Sequence, residues 1–224
     1  AGTRKRWLAD VSHELRTPLA IIKGEIEAMQ DGVRALDPVG LASLASEVNH
    51  LQKLINDLNE VANAEIGAMR YDKARLDFTM LLQQSCQSHA LLLAEKGIIL
   101  HLPDDLAKVH IWGDVTRLNQ LLDNILTNCG KYTDADGQVH VELNVVNQQV
   151  ILTIHDSTPG VPDSALSMLF EHLYRVDSSR NRKTGGSGLG LALCKHIVHA
   201  HQGIIEAKHS PYGGLQVRIQ LPIV

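Results

Sequence analysis

From Leu8 the apolar positions run Leu8, Val11, Leu15, Leu19, Ile22, Ile26, Met29 and Val33, in alternating steps of three and four. That spacing lays them along one stripe of a helix and predicts a seam. After the stretch DGVRALDPVG the rhythm returns at Leu41, Leu44, Val48, Leu51, Ile55, Leu58 and Ala62, which predicts a second helix and, together, a helical hairpin. A lone hairpin leaves one side of each seam unburied. Two copies cover each other as a four-helix bundle, so residues about 4–66 are expected to form a homodimer. His13 lies two residues past Val11 and off the stripe, and is expected to face solvent or a visiting partner.

The heptads stop in AEIGAMRYDK, and the texture changes. Residues 1–67 are read as the hairpin domain, 68–75 as a hinge and 76–224 as a second domain. In the second domain ARLDF, IILHL and VHIWG read as short strands, and TMLLQQSCQSHALLLAEKG as a helix. Asp114 is placed to cap a long helix, and GQVHVELNVVNQQVILTIHD alternates as a β-hairpin. A short helix around Phe170, a helix from about Gly188 to His201, and the strands IIEAKH and LQVRIQL follow. The expected fold is multidomain: an α hairpin, then an α/β layer domain.

Composition narrows the function. The chain has 224 residues, 44% hydrophobic and 21% charged, with a formal charge of −4, so a packed core is expected and no broad basic face is available for nucleic acid. Two Phe and two Trp make few base-stacking platforms, and nucleic acid is excluded as a partner. The run Arg4-Lys5-Arg6 reads as a solvated helix end. Apolar stretches such as ALLLA fall far short of the ~20 residues that span a bilayer, so the chain as given is expected to be soluble. Three widely spaced cysteines with no C-x-x-C pair point to neither a disulfide framework nor a zinc site, and to a reducing setting.

Four stretches of the second domain carry chemistry. Asn124 and Asn128 stand one helical turn apart on one face, followed by Lys131 and Tyr132. Amide oxygens suit a hard divalent cation that keeps waters and phosphate oxygens as its other ligands, although such a pair alone is also an ordinary surface pair. Asp156 to Gly160 ends a strand, where a buried carboxylate can accept from an adenine amino group and Gly160 lets backbone approach a ring; the same residues also suit a plain turn. Glycines 185, 186, 188 and 190 precede a helix whose free N–H groups favour an anion. They fit neither a Walker loop nor G-x-G-x-x-G. Gly213-Gly214 before the last strand is weak alone. The segment of about 160–187, with Arg175, Arg180 and Arg182, is expected to be a lid over a nucleotide.

In this order the motifs resemble the catalytic core of a bacterial two-component sensor histidine kinase, over nearly the whole chain. SHELRTPL is similar to that family's H box, Asn124 and Asn128 with KYT to the N box, Asp156 and Gly160 to the first glycine box, Phe170 to Arg175 to the F box, and GGSGLGL to the second glycine box. The resemblance implies an ATP-binding fold of the GHKL type, ATP and Mg²⁺ as cofactors, and His13 as phosphoacceptor. It implies Asn128 on Mg²⁺, Asn124 and Lys131 on phosphates, Tyr132 stacked on adenine and Asp156 on its amino group. Arg175, Arg182, Gly186, Gly188, Leu189 and Gly190 complete the expected nucleotide site. Three positions depart from the family pattern: Thr158 replaces a glycine, Gly130 interrupts the N-box helix and Leu173 replaces an aromatic.

With a phosphate donor in view, the neighbours of His13 read as machinery. Glu14 is the candidate to take the imidazole proton, Arg16 to hold phosphate, and Thr17, one turn along, to orient a water for dephosphorylation. Pro18 removes the N–H that would bond the Glu14 carbonyl, so a bend is expected there. The resemblance implies an aspartate of a response-regulator receiver domain as partner, docked near His13, Ile21, Gly24, Glu25 and Ala28. It also implies that the chain is the cytoplasmic portion of a protein anchored in the inner membrane. Two other readings fit part of the sequence: an ATPase without phosphohistidine, and a dimeric scaffold with a dead pocket.

Overall fold

The computed structural model describes residues 2–176 and 188–224. The hairpin is α1 (Gly2–Gln30) and α2 (Pro38–Glu65). Asp37 starts α2 because its carboxylate accepts from the Gly40 N–H (2.7 Å) while Pro38 occupies the first turn, where its missing N–H costs nothing. Pro18 is buried within a continuous α1.

The second domain runs β1 (Ala74–Asp77), α3 (Phe78–Ala94), β2 (Ile99–His101), β3 (His110–Gly113), α4 (Val115–Tyr132), β4 (Gln138–Val146), β5 (Gln149–Ser157), α5 (Asp163–Leu166), α6 (Gly190–Ala200), β6 (Ile204–His209) and β7 (Gly213–Pro222). β1 and β3 pair antiparallel, and a five-stranded sheet is ordered β2-β4-β5-β7-β6. Only β2 and β4 are parallel there. Alternation sets the layers: Val139, Val141 and Leu143 of β4 turn inward, with Leu118, Leu122 and Ile125 of α4 and Ile197 of α6 in the same core, while Gln138, His140 and Glu142 face out. The multidomain α plus α/β expectation holds. The short helix expected around Phe170 is instead α5, four residues earlier, because Pro162 and Asp163 start it; Phe170 itself is buried in a turn.

Capping is tightest at α4. Asp114 accepts from the N–H groups of Arg117 (3.0 Å) and, from the hinge, Asp72 (2.7 Å), so one side chain starts the helix and anchors the linker. Its own N–H donates to His201 Nε2 (2.9 Å), and His201 Nδ1 donates to the Ile197 carbonyl (2.7 Å). Nε2 must therefore keep its lone pair, and His201 is held neutral.

Stability follows from this. Burial, the first cause in each case, lowers the affinity of His140, His155, His196 and His201 for a proton below the ordinary 6.5. The folded chain binds fewer protons than the unfolded one there, so their contribution is complete above 6.5 and is lost as pH falls through it. Asp156, pushed up to about 6, acts in the opposite sense from 3.8 upward, but it is one group against four. The melting temperature is expected to fall as pH goes from about 7.5 to about 5.5. A flat or rising profile in thermal melts over that range contradicts the assignment.

The hairpin and second domain pack together. Leu54, Leu58 and Val61 of α2, between 0% and 8% exposed, join the core cluster of the second domain, and Val11 and Leu15 of α1 rest against it. Around them Glu60 accepts from Arg117 (2.8 Å) and from Gln120, and Glu65 meets His172 at 2.8 Å. Three buried aliphatic side chains at about 1.5–3 kcal/mol each outweigh these partly exposed pairs at about 0–1 kcal/mol. The sequence seam gave no sign of this, since Leu54 and Val61 lie outside it. Of the seam itself, Leu19, Ile26, Leu41, Val48 and Ile55 are exposed.

Candidate functional site

A cavity of about 650 Å³ opens between α4, the ends of β5 and β7, α6 and one wall of α2. Its size suits a nucleotide. Asn124, Asn128, Lys131, Tyr132, Asp156 and Gly160 all line it, together with Tyr174, Arg175, Gly188 and Gly190. Leu189 is buried beside its two glycines. Of the expected nucleotide residues, Arg182 and Gly186 lie outside the described residues, as do Arg180 and Gly185.

At the floor, Asp156 is 7% exposed at the end of β5, and its Oδ1 accepts the Leu215 N–H at 2.5 Å. Burial pushes its carboxyl up to about 6, against the lowering by that one hydrogen bond. The group therefore seeks a further donor, which an amino group supplies. Gly213-Gly214, weak in sequence, matters here: a Cβ at 214 would run into the Asp156 carboxylate and the Ser157 carbonyl.

At the other end the cavity is cationic. Lys131 is a poorer base than usual, through burial first and then the fields of Lys53, Lys96 and Arg175, with Asp57 opposing. An anion relieves that crowding, so the charges suit a polyphosphate. The sequence offered no reason to include Lys53 and Asp57, one turn apart on α2, because a charged pair on an exposed helix face ordinarily means solvation. Asn124 Nδ2 donates to the Gly190 carbonyl (3.4 Å), tying α4 to the start of α6. The Leu173 N–H bonds the Gly188 carbonyl (3.0 Å), and Gly188 has φ +66° against the backbone of Leu173 and Tyr174, so the glycine turn is fixed by close approach.

The residues fit a hard divalent cation. Among the described residues no group of three His, Cys, Asp or Glu could hold a metal, whereas the amide of Asn128 lines the cationic cavity. A single amide ligand, with phosphate oxygens and waters completing the shell, is the donor set Mg²⁺ accepts.

Of the side chains around His13, Glu14 reaches the cavity edge. His13 is exposed, and Glu14 is half-buried with its Oε2 3.9 Å from Arg175 Nη1. Arg175, expected near phosphates alone, thus bridges cavity and hairpin. Arg16 is exposed. Thr17 Oγ1 donates to the His13 carbonyl (3.3 Å), so its hydroxyl proton is engaged within α1, and orienting a water falls to its lone pairs. At the far end Ile21 and Gly24 are exposed and Ala28 is half-buried. Glu25, expected to meet a docked partner, turns inward: it accepts from Arg34 (2.6 Å) and Ser43 (3.0 Å), bracing the connection between the helices, and Arg34 holds its carboxyl below the ordinary range.

Comparison with known proteins agrees with this layout. Residues 3–67 match the family model described as His Kinase A (phospho-acceptor) domain, and residues 113–224 the one described as Histidine kinase-, DNA gyrase B-, and HSP90-like ATPase. The chain is 46% identical over 222 residues to the Signal transduction histidine-protein kinase BaeS of Escherichia coli (strain K12), covering 98% of this chain and 47% of that protein. It is 33% identical over 224 residues to Sensor protein kinase WalK of Staphylococcus haemolyticus, covering 36% of it. The chain therefore spans about half or less of these relatives. Among solved structures, Acinetobacter baumannii histidine kinase AdeS superposes with a TM-score of 0.79 at 27% identity, over 94% of this chain and 98% of that one. ShkA, in complex with AMPPNP, superposes at 0.67 with 27% identity, over 98% of this chain and 46% of that one.

Proposed function

This chain belongs to the two-component sensor histidine kinases, and we propose that it transfers the γ-phosphate of ATP to its own His13 and from there to an aspartate of a response regulator. The observation that carries this reading is the cationic cavity whose edge residue, Arg175, reaches the neighbour of His13. In this reading residues 1–67 are the dimerisation and phosphoacceptor domain, 68–75 the hinge and 76–224 the ATP-binding domain. The exposed apolar seam of Leu19, Ile26, Leu41, Val48 and Ile55 is the surface for a second copy. No helix among the described residues is long and apolar enough to cross a membrane, so anchoring would rest on chain outside this sequence.

Asp156 accepts the adenine amino group, and Tyr132, at the cavity mouth, stacks on the ring. Lys131, Asn124 and the helix start at Gly190 hold the phosphates, while Asn128 holds Mg²⁺, which when bound neutralises charge on the transferring phosphate. Glu14 draws the proton from one imidazole nitrogen and so raises the nucleophilicity of the other. Thr17 supports dephosphorylation of the regulator, which docks across His13, Ile21, Gly24 and Ala28. Glu25 shapes that surface through the brace to Arg34 and Ser43.

Glu14→Gln tests the role of the carboxylate. It keeps shape and hydrogen bonding but cannot take a proton, so the rate of autophosphorylation is expected to fall about 10²–10⁴-fold. Stabilisation by a non-hydrolysable ATP analogue is expected to stay as in the unchanged chain. An unaltered rate removes Glu14 from the mechanism.

A further inference from the structure

We infer that His13 receives its phosphate from the ATP-binding domain of its own chain and not from that of the second copy. This rests on the kinase reading and on the two-copy bundle proposed above, and it names which histidine is the substrate. The cavity and the phosphoacceptor helix are already joined within one chain. Arg175, on the cavity wall, stands 3.9 Å from Glu14, and Lys53 and Asp57 of the same hairpin line the cavity. Val11 and Leu15, flanking His13, rest against the core cluster that α2 shares with the ATP-binding domain through Leu54, Leu58 and Val61. Beyond Val11, Leu15 and Leu58 the seam points elsewhere, with Leu19 58%, Leu41 53% and Val48 50% exposed, so a second copy can cover that part without displacing the ATP-binding domain.

Distance decides between the two histidines. α1 of the same chain already occupies the place beside Arg175, so the second copy's phosphoacceptor helix reaches this cavity only by displacing it. Reacting atoms must come within about 3–3.5 Å, and α1 is the helix that a small rotation about the hinge at 68–75 brings there. In the step itself the lone pair of one His13 ring nitrogen forms a bond to the γ-phosphorus. The bond from that phosphorus to the β,γ-bridging oxygen breaks, its electron pair leaves on ADP, and the proton on the other ring nitrogen passes to Glu14.

Mixed dimers test this. A tagged double variant, His13→Gln with Asn128→Ala, is combined with the untagged unchanged chain, and dimers recovered on the tag are given γ-labelled ATP and Mg²⁺. Transfer within a chain labels the untagged chain at the per-chain level of unchanged dimers. Transfer between chains leaves it unlabelled, because its one intact nucleotide site would face a chain without His13, and that result overturns the inference. The complementary mixture of His13→Gln with Asn128→Ala gives the reverse readout should the double variant distort the dimer. No label on either chain supports the inference, and label on the Asn128→Ala chain overturns it. Unchanged dimers run alongside separate the two claims, since absence of label there overturns the kinase reading itself.

Discussion

Gly214→Ala is expected to lower the melting temperature by about 2–12 °C and to abolish detectable binding of an ATP analogue. The new Cβ would meet the Asp156 carboxylate and the backbone of Asp156 and Ser157, none of which is the far end of a flexible side chain. Overpacking of this kind costs about 1–3 kcal/mol, and for a chain of this size each kcal/mol moves the midpoint by about 2–4 °C. Binding suffers more than folding because the displaced group is the one proposed to hold the adenine amino group. Moving the strand at 214 also moves the Leu215 N–H, which fixes Asp156 Oδ1. The carboxylate then no longer points where an adenine amino group meets it. Thermal melts with and without a non-hydrolysable analogue read both effects; a variant that melts normally and is stabilised normally contradicts the role given to this close approach.

What the sequence revealed follows from the range of each interaction. Asp114 as a cap, the β4–β5 hairpin and the shared face of Asn124 and Asn128 depend on residues within a few positions of one another, so they were legible. The ion pair of Glu14 with Arg175 and the brace of Glu25 by Arg34 and Ser43 join distant elements through side chains that, read locally, are merely solvated. Read locally, Glu25 therefore suits a docking surface. The double duty of α2 was hidden for another reason: a heptad reading finds one partner face, whereas Leu54, Leu58 and Val61 serve a second, against the ATP-binding domain. Gly213-Gly214 is weak in sequence because a glycine pair before a strand signals a turn, and the need for empty space at 214 arises only when β5 and β7 pair in register. At the departures Thr158, Gly130 and Leu173 the backbone is hydrogen-bonded. Gly130 lies at the C-terminal end of an intact α4, where Lys96 bonds its carbonyl at 2.6 Å. Leu173 adopts φ +59° within the turn that its own N–H closes onto Gly188, and Thr158 accepts the Asp134 N–H at 2.9 Å.

The second large effect concerns His13, on which the whole account turns. Its side chain is exposed, outside the packed core, and projects from within α1, which is continuous around it. Its replacement should therefore leave folding and nucleotide binding alone, since surface substitutions of this kind usually change stability by no more than about 0.5 kcal/mol. Chemistry is different, because in the proposed function His13 is the group that accepts phosphate. The most direct measurement is incubation of the unchanged chain and His13→Gln with γ-labelled ATP and Mg²⁺, with the product tested in acid and in base. The account predicts label on the unchanged chain that is lost in acid and kept in base, and none on His13→Gln although both are stabilised equally by an ATP analogue. Equal labelling of the two chains, or no label on the unchanged chain despite nucleotide binding, would contradict it and return His13 to an ordinary surface histidine.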